Sequence, residues 1–402
     1  MGKKALVTFA RNRIGYVICK NLAKNGVEVT SSDSIKFAMS FYSRFSKKHA
    51  LYHDPHQSEQ EFIDSVIKIC QNGEIDTIVP GHEESFILSK YQDKLEKAGI
   101  HTALPTYEQI QIAHDKNKIT ALAEGLKIRA PKTYRFSSIE DFKNKAEQIT
   151  RFPVVIKLTK TRGGVGFFKA LDKQQLLLQY PKTLEDFNIT KPEDFPIVQD
   201  YIDGYGLGVS MLFDHGRAVS SFTHERVWEY PPEGGFSIER ISVHHEKAEA
   251  QAKKLLEQLK WHGVAMVEFR VEHVTDEPYF LEINPRFWGS LNQAIVAGVD
   301  FPFMLYQIAN GKKLKSSFKY KLGIRTRWAA GMIVAIPAYL RTKKRFKFLG
   351  SFFNIFSRKL FIDDMSVSDP LPFLAEFIKP LMDVFSGKSL REQDLEEVKK
   401  NY

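Results

Sequence analysis

The chain has 402 residues, of which 43% are hydrophobic and 26% are charged, the composition of an ordinary globular protein with two or three domains. Its net charge of +10 is concentrated locally, because residues 341–360 hold seven basic residues and no acidic one, which argues against nucleic acid as a partner of the whole chain. The two cysteines, Cys19 and Cys70, argue against a disulfide framework or a cysteine zinc site and favour a reducing, cytoplasmic compartment.

The first hundred residues alternate between strand and helix patterns. "KALVTFA" predicts a strand, residues 11–26 predict a turn and a helix, "VEVTSSD" predicts a second strand, and "IDTIVPG" predicts a third strand followed by a helix through Lys97. This alternation predicts a doubly wound parallel βαβ domain over residues 1–102. The G-x-G-x-x-G fingerprint is absent, so we interpret Asp33 as a turn residue and expect no nicotinamide cofactor.

The middle of the chain changes to hairpin patterns, which makes the fold class mixed α/β with antiparallel sheets. "FPVVIKL" predicts a buried strand that continues through a glycine-rich turn into a second strand, and "PIVQDYIDG" predicts a strand ending in a turn. A hairpin is predicted to turn at residues 214–216, and "GVAMVEFRVE" and "PYFLEINP" are predicted to pair. Residues 246–260 and 291–311 each have the periodicity of a helix.

Polar residues occupy every second position at the end of the strand in "YFLEINPRFWGS". Glu282, Asn284 and Arg286 therefore lie on one side of that strand, and Glu268 on the preceding strand can reach the same place. Two carboxylates and an amide oxygen are hard ligands that suit Mg²⁺, and the Arg286 guanidinium can bind a phosphate. The alternative is a surface hairpin with scattered ion pairs.

A lysine, Lys157, ends the buried strand just before the glycine-rich turn. An ammonium group there costs solvation free energy unless it meets an anion. Gly163, Gly164 and Gly166 let backbone N–H groups approach phosphate oxygens, although such a turn on its own is more often merely flexible.

This order of motifs resembles the ATP-grasp superfamily, and it is most similar to the branch of carbamoyl-phosphate synthase, biotin carboxylase and the carboxylate–amine ligases. The resemblance covers most of residues 1–312 and includes "HDKNK", the strand lysine, the glycine-rich loop, "VQDYIDG" and E-x-N-P-R. It implies an ATP-grasp domain over 103–312, with a small lobe at about 115–195 and a large lobe at about 196–312.

The resemblance also implies ATP as the nucleotide and Mg²⁺, or Mn²⁺ in its place, as the metal. The roles it implies are phosphate binding by Lys116, Lys157 and the loop Gly163–Gly166; adenine binding by Gln199, Asp200, Tyr201 and Ile202; metal binding by Glu268, Glu282 and Asn284; and stabilisation of the transferring phosphoryl group by Arg286. One departure concerns ribose recognition: many relatives keep a glutamate shortly after the hinge glycine, whereas Gly204 is followed here by "YGLG", and Asp200 could compensate.

Residues 224–240 contain two adjacent prolines and two adjacent glycines, which predicts a shaped loop rather than a regular element. In similar ligases such a loop faces the acceptor carboxylate, so Arg226 and Arg240 are candidates for binding the substrate. The alternative is that both arginines are solvated on a surface turn.

The resemblance implies an ATP-dependent ligase that acts on a small-molecule carboxylate and an amine through an acyl phosphate, releasing ADP and phosphate. A bicarbonate-activating enzyme, like carbamoyl-phosphate synthase or a carboxylase, is one alternative. A non-catalytic, membrane-recruited ATP-binding scaffold is another. A homodimer would be consistent with the resemblance.

The last segment, residues 313–402, is basic and predicted to be a mostly helical extension. "WAAGMIVAIPAYL" is apolar, but its thirteen residues fall short of the roughly twenty that a membrane span needs. Beyond it, a basic cluster lies next to aromatic and leucine residues that recur at helical spacing. These apolar residues are Phe346, Leu349, Phe352, Phe353 and Phe356. Residues 341–360 are therefore expected either to contact an anionic membrane surface or to pack on the protein's own core or a dimer partner.

Overall fold

The structure is a computed structural model that describes residues 3–160, 166–232, 234–353 and 359–376. The chain divides into two compact units, each assembled from segments that are distant in sequence. Among the described residues, the first unit contains those of 3–110, 208–266 and 284–376, and the second unit contains those of 111–207 and 267–283. This division follows spatial compactness, so the domain boundaries given above stay a prediction.

The chain begins with alternating strands and helices in the first unit. In order they are β1 (Lys4–Val7), α1 (Arg13–Lys24), β2 (Glu28–Asp33), β3 (Lys48–Leu51), α2 (Glu59–Gly73), β4 (Ile78–Val79), α3 (Glu84–Lys90) and α4 (Gln92–Lys97). The strands form a parallel sheet in the order β3-β2-β1-β4, which confirms the predicted doubly wound segment. Two elements, β3 and α2, were not predicted; β3 is a largely exposed edge strand without a hydrophobic pattern.

The central strand β1 is covered on both faces. Val7 packs in one apolar cluster with Val17 of α1, whereas Leu6 packs in another with Phe62 and Val66 of α2. Burial on both faces explains why the strand reads as a continuous apolar run. Asp33, at the end of β2, is fully buried and accepts hydrogen bonds from the backbone and guanidinium of Arg11, so it is a structural ion-pair partner.

The next elements lead into the second unit and its antiparallel sheet. They are α5 (Tyr107–His114), α6 (Lys116–Gly125), β5 (Thr133–Tyr134), α7 (Ile139–Ala146), β6 (Val154–Lys157), β7 (Phe167–Ala170), α8 (Lys173–Asp186) and β8 (Ile197–Asp200). The strand order is β5-β8-β6-β7, with every neighbouring pair antiparallel, which confirms the predicted β6–β7 hairpin. Phe142 of α7 stacks on Tyr180 of α8 with ring centroids 4.1 Å apart, and both side chains are fully buried in the core beside this sheet.

The remaining strands belong to a seven-stranded sheet. The elements are β9 (Gly204–Asp214), β10 (Arg217–Tyr230), β11 (Phe236–Ser242), α9 (Glu246–Gln258), β12 (Gly263–Glu272), β13 (Pro278–Asn284), α10 (Leu291–Ala297), α11 (Phe301–Ala309), β14 (Arg325–Arg327), α12 (Ala329–Leu340), α13 (Arg345–Ser351) and β15 (Leu360–Ile362). The sheet order is β13-β12-β9-β10-β11-β14-β15.

The prediction of an irregular loop over residues 224–240 was wrong. Most of this stretch is the end of β10 and the start of β11, which pair antiparallel. Register shifts on either side of Trp228 interrupt the alternation of side chains, and the proline and glycine pairs occupy only the connecting turn. The sequence therefore resembles a loop, although its backbone is mostly paired.

The helix predicted over residues 291–311 is two helices. Gly298 ends α10 with a backbone φ of +106°, a left-handed conformation that suits glycine, and Pro302 stands in the first turn of α11. The apolar periodicity continues through this break because both helices bury residues in the same cluster, so periodicity alone did not reveal it.

The C-terminal segment is less helical than predicted, because β14 and β15 extend the sheet as a parallel pair. One face of α12 and α13 packs on this sheet: Met332, Tyr339 and Phe348 form a cluster with Trp228 and Ile238. This contact answers part of the question left open for residues 341–360, since Phe348 packs on the protein's own core. Phe356 lies outside the described residues. No helix in the described part of the chain is long and apolar enough to cross a membrane.

Candidate functional site

A charged cluster lies at the end of β6 in the second unit. Three buried residues, Val154–Ile156, precede the partly buried Lys157 at the strand terminus. The pKa of Lys157 is lowered to about 8, chiefly by burial; nearby Lys116 acts in the same direction, whereas Glu282 and Glu268 oppose the change. The ammonium group is therefore held where its charge is poorly solvated, which suits a site that receives an anion.

The second lysine of the cluster is fixed by its helix. The Asp115 side chain accepts hydrogen bonds from the N–H groups of residues 117 and 118 and so caps α6, whose first residue is Lys116. The Lys116 N–H donates to the Thr159 carbonyl at 3.0 Å, and this bond ties the start of α6 to the chain just after β6. The buried Lys116 ammonium lies 3.1 Å from the Glu282 carboxylate.

Two carboxylates face these lysines from neighbouring strands. Glu268 lies on β12 and Glu282 on β13, and both favour the charged form of Lys157. Asn284 lies two positions beyond Glu282 on the same strand and therefore on the same face. Two carboxylates and an amide oxygen are ligands of the kind that Mg²⁺ prefers. If a metal ion bound the carboxylates, anionic phosphates could replace them as the partners of the lysines.

The glycine-rich turn is described only at its end, because Gly163 and Gly164 lie outside the described residues. Gly166 has a φ of +70°, and a Cβ atom placed there would come within 2.2 Å of the Leu158 side chain. Its carbonyl accepts a hydrogen bond from the Leu158 N–H at 3.3 Å. Only glycine fits this position, so the turn closes tightly directly after the Lys157 strand.

The predicted adenine-binding residues lie at the end of β8. The Tyr201 N–H donates to the Pro153 carbonyl at 3.2 Å, so that N–H group is already used within the protein. Gln199 donates to the Thr133 hydroxyl, whereas its Oε1 atom and the Oδ1 atom of Asp200 are buried without a hydrogen-bond partner within the described structure. Buried acceptors without donors are uncommon, and amino or hydroxyl groups of a ligand could satisfy them.

The first unit holds Arg286, which follows β13. Its Nη1 donates to the Phe287 carbonyl at 2.9 Å, and its Nε lies 3.7 Å from a Glu83 carboxylate oxygen. The side chain is mostly buried, so the guanidinium is held in one place rather than solvated. A positioned arginine of this kind can bind an anionic group.

The two arginines proposed for the substrate differ in their surroundings. Arg226 on β10 lies opposite Arg240 on β11 in the antiparallel register. Arg226 is partly exposed, and its Nη1 donates to the Gly235 carbonyl at 3.0 Å and to a Glu229 carboxylate oxygen at 3.3 Å. Arg240 is fully buried and donates to Thr326 and to the Ser237 carbonyl, and it forms an ion pair with Asp363. These contacts hold the Arg240 guanidinium within the protein, and its role in binding a substrate stays a prediction.

Two charged residues that lie beside predicted site residues were not identified from the sequence. Arg270 on β12 lies close enough to Lys157 to lower its pKa, and it stands two positions after Glu268 on the same strand face. This alternation was visible in "MVEFRVE". Glu83, the partner of Arg286, follows β4, and the residues after the carboxyl ends of parallel strands are frequent binding positions.

A separate group of possible metal ligands, Asp214, His215 and His262, lies at the β9–β10 turn. These atoms already have protein partners: Arg217 binds Asp214 at 3.1 Å, and the His215 N–H donates to Nδ1 of His262 at 3.2 Å. Burial also lowers the pKa of His262 to about 4, so its ring is neutral near pH 7. We interpret this group as a hydrogen-bonded turn.

The fold and the charged cluster together define a class of protein. It is an α/β protein in which two lysines lie close to two carboxylates on neighbouring strands, a charge pattern typical of sites for phosphate and metal. A family model described as "ATP-grasp in the biosynthetic pathway with Ter operon" matches residues 193–332, and a RimK-like ATP-grasp domain matches residues 113–209. The chain belongs to the ATP-grasp superfamily, which confirms the resemblance seen in the sequence.

Curated relatives are ligases of several kinds. The carbamoyl phosphate synthase large chain of Thermoanaerobacter sp. is 26% identical over 238 residues, which cover 57% of this chain and 21% of that protein. The D-alanine–D-alanine ligase of Fusobacterium nucleatum is 26% identical over 181 residues, which cover 43% of this chain and 56% of the ligase. The chain thus spans about a fifth of the large synthase that it resembles.

Solved structures show the same fold at low sequence identity. The biotin carboxylase domain of Hydrogenobacter thermophilus 2-oxoglutarate carboxylase superposes with a TM-score of 0.66 at 16% identity, covering 81% of this chain and 73% of that chain. The N5-carboxyaminoimidazole synthetase of Staphylococcus aureus gives a TM-score of 0.62 at 17% identity, covering 81% of both chains. These likenesses confirm the predicted mixed α/β architecture.

Proposed function

We propose that the protein is an ATP-dependent ligase that activates a carboxylate as an acyl phosphate and joins it to an amine or ammonia. The observation that carries this proposal is the cluster of Lys116, Lys157, Glu268 and Glu282, in which the Lys116–Glu282 pair is 3.1 Å apart and burial lowers the pKa of Lys157. Relatives that form C–N bonds, such as the D-alanine–D-alanine ligase, support the reaction type.

In this proposal the nucleotide phosphates meet the two lysines. Lys157 and Lys116 bind the phosphate oxygens, and the turn ending at Gly166 covers them and excludes water. The end of β8 receives the base and the sugar, where the unpaired oxygens of Gln199 and Asp200 accept hydrogen bonds from the ligand. Because the Tyr201 N–H is used by Pro153, a contact with the base would fall to its neighbours, including Ile202.

Glu268, Glu282 and Asn284 are the proposed ligands of Mg²⁺ or Mn²⁺, which when bound supplies charge neutralisation of the phosphate oxygens. The structural neighbour from Hydrogenobacter thermophilus was solved with MgADP, and the titles of other neighbours also name ADP or an ATP analogue. The oxygen donor set of these three residues fits such an ion. Arg286 is proposed to bind the phosphoryl group during its transfer.

The proposed reaction has two chemical steps, and neither forms a covalent bond to the protein. A substrate carboxylate oxygen attacks the γ-phosphorus, the bond to the bridging oxygen breaks, and ADP leaves with that electron pair. The amine then attacks the acyl carbon, phosphate departs, and the amine loses a proton to water. The protein's task is alignment and charge stabilisation, which lysines and an arginine can supply. Arg226, which is partly exposed, is the proposed contact for the acceptor carboxylate.

The pKa of Lys157 predicts proton uptake when nucleotide binds. With a pKa of about 8, roughly half of the Lys157 side chains are neutral at pH 8, and a bound phosphate favours the charged form. ADP binding at pH 8 should therefore take up roughly half a proton, the uptake should vanish near pH 6, and affinity should weaken as pH rises above 8. Titration calorimetry in buffers of different ionisation enthalpy measures both the number of protons taken up and the affinity for ADP.

The matched control for proton uptake is Lys157→Arg, because arginine stays protonated throughout this pH range. That variant should bind ADP with no dependence on the buffer at pH 8. Buffer-independent binding enthalpies for the unchanged protein would contradict the assignment of Lys157 to the phosphates.

The reaction itself is tested by ADP release across a panel of amino acids and small acids, each with and without an amine. The expected result is ADP release that requires one acid and one amine together, and an amide product detected by mass spectrometry. Release that requires bicarbonate instead would favour the carboxylase-like alternative, which the carbamoyl phosphate synthase and biotin carboxylase relatives also support. Nucleotide binding without any substrate-dependent release would favour the scaffold.

The oligomeric state and the cellular compartment of the protein are part of the same proposal. The structural neighbour from Hydrogenobacter thermophilus is described as a domain dimer, and we propose a homodimer for this protein, to be tested by light scattering. The reaction needs a compartment that supplies ATP, which agrees with the cytoplasmic location expected from the sequence.

A further inference from the structure

The helix α12 exposes an apolar face. Met332, Ala335 and Tyr339 are buried, and Met332 and Tyr339 belong to the cluster that includes Trp228. The opposite side carries Ile333, Val334, Pro337 and Leu340, all exposed. The spacing of four and three residues from Ile333 to Leu340 places them along one stripe. A helix on the surface of a globular protein normally turns polar residues outward, so this face needs an explanation.

The next helix, α13, repeats the arrangement. Phe348 is buried and stacks on Tyr339 with ring centroids 4.1 Å apart, which fixes the orientation of the helix. Phe346 on α13 is 75% exposed and Leu349 is also exposed, and Phe353, two residues after the helix ends, is 77% exposed. Large aromatic side chains presented to water by an otherwise anchored helix form an apolar patch of the kind that marks an interaction surface.

The stretch of sequence that carries this patch has charges of one sign. From Trp328 to Ile362 the sequence contains no aspartate or glutamate, but it contains seven lysines and arginines, against a net charge of +10 for the whole chain. The basic side chains within the described part of this stretch that are exposed around the patch are Arg341, Lys343, Lys344, Arg345 and Lys347. We call these five residues, with the exposed apolar residues of α12 and α13 and with Phe353 just beyond α13, the apolar–basic surface.

We propose that the apolar–basic surface docks on an anionic lipid membrane, with the exposed side chains of α12 and α13 entering the interface and the basic residues binding the lipid headgroups. Both parts of the surface are needed for such a partner: basic residues attract anionic lipids, and apolar side chains partition into the headgroup boundary. The helices lie on the membrane in this arrangement, since α12 has only twelve residues.

Two other occupants fit the surface less well. A second copy of the chain, docked through the same face, would bring two strongly positive surfaces together without acidic partners, which is repulsive. Nucleic acid would bind the basic residues, but it offers no partner for the branched aliphatic face of Ile333, Val334 and Leu340. The membrane therefore satisfies both the charge and the apolar area. This inference is independent of the proposed reaction.

The test is sedimentation of the full chain with vesicles of pure phosphatidylcholine and with vesicles that also contain phosphatidylglycerol. The expected result is binding to the anionic vesicles, weak binding to the neutral ones, and loss of binding as salt increases. Lys343→Gln with Lys344→Gln should weaken partitioning roughly thirtyfold, from about a factor of five for each charge. Phe346→Ser with Phe353→Ser should weaken it at least tenfold at constant charge.

Matched controls come from the same unit. Lys312→Gln with Lys313→Gln removes two exposed charges, and Phe236→Ser removes an exposed aromatic side chain on β11. These variants should bind anionic vesicles like the unchanged protein. All the substituted residues are exposed, so thermal unfolding should be unaffected and should exclude misfolding as the cause.

Three results would overturn the proposal. The first is absence of binding to anionic vesicles, and the second is equal weakening by the control variants, which would indicate a general charge effect. The third is a dimer of the unchanged protein that dissociates in the Phe346→Ser, Phe353→Ser variant, with no lipid binding; this would identify a second copy as the occupant.

Discussion

Glu282→Gln should abolish substrate-dependent ADP release, with a loss of roughly a thousandfold or more, while the protein remains folded. The carboxylate lies 3.1 Å from the Lys116 ammonium, and it is the largest electrostatic support for the charge on Lys157. Glutamine keeps the size of the side chain and one oxygen for Lys116, but it removes a charged metal ligand. The measurements are steady-state ADP release and thermal unfolding of the same preparation.

A second effect of Glu282→Gln distinguishes a site residue from a merely structural one. Without the Glu282 charge, the pKa of Lys157 should fall further below its value of about 8, so nucleotide binding at pH 8 should take up more protons than in the unchanged protein. The control is Glu272→Gln on β12, four positions after Glu268, where Thr275 binds the carboxylate. That variant should retain full activity. Normal turnover in Glu282→Gln would refute the metal assignment.

Lys157→Met should weaken ADP and ATP binding tenfold to a hundredfold, which corresponds to the loss of a charge-assisted hydrogen bond worth about 1.5–3 kcal/mol. Methionine has nearly the same length and needs no solvation, so the buried end of β6 can accept it. Calorimetric titration of each variant with ADP gives the affinity. The control is Lys173→Met at the start of α8, an exposed lysine that pairs with Glu147.

The same substitution should not reduce stability, and should increase it near neutral pH. Because the pKa of Lys157 is lowered on folding, the unfolded chain binds more protons between about pH 8 and its ordinary value near 10.4. The lysine therefore destabilises the folded protein fully below about pH 8, and this cost disappears as pH rises through that window. Lys157→Met should remove the cost and the associated pH dependence. Unchanged nucleotide affinity would contradict the phosphate role, whatever the effect on stability.

Local patterns in the sequence predicted the parts of the site that depend on one strand at a time. Lys157 follows three apolar residues in a row, and Glu282 and Asn284 alternate along β13, so strand geometry alone places them. The pairing of Lys116 with Glu282 could not be derived in that way, since the two residues come together only when distant segments form one unit. The resemblance to a family assigned Lys116 to the phosphates and Glu282 to the metal, but it did not predict their direct contact.

The features that the sequence did not reveal have the same origin. Nothing in the sequence around Arg240 indicates that Asp363 lies beside it in the folded chain. The stretch at residues 224–240 was misassigned because a register shift at Trp228 hides the alternation. For α12 and α13 the apolar spacing was evident, but the sequence did not show that the protein's own sheet uses only one side of each helix.

The ion pair between Arg240 and Asp363 has a consequence for biosynthesis. The family model ends at residue 332, yet the counter-charge for this buried arginine comes from Asp363, directly after β15, which the ribosome releases later. Burying an arginine without its partner costs about 3–5 kcal/mol, so the sheet cannot reach its final stability during translation until residues 360–363 have left the exit tunnel. Chains truncated at the family border should accordingly be targets for cellular proteases.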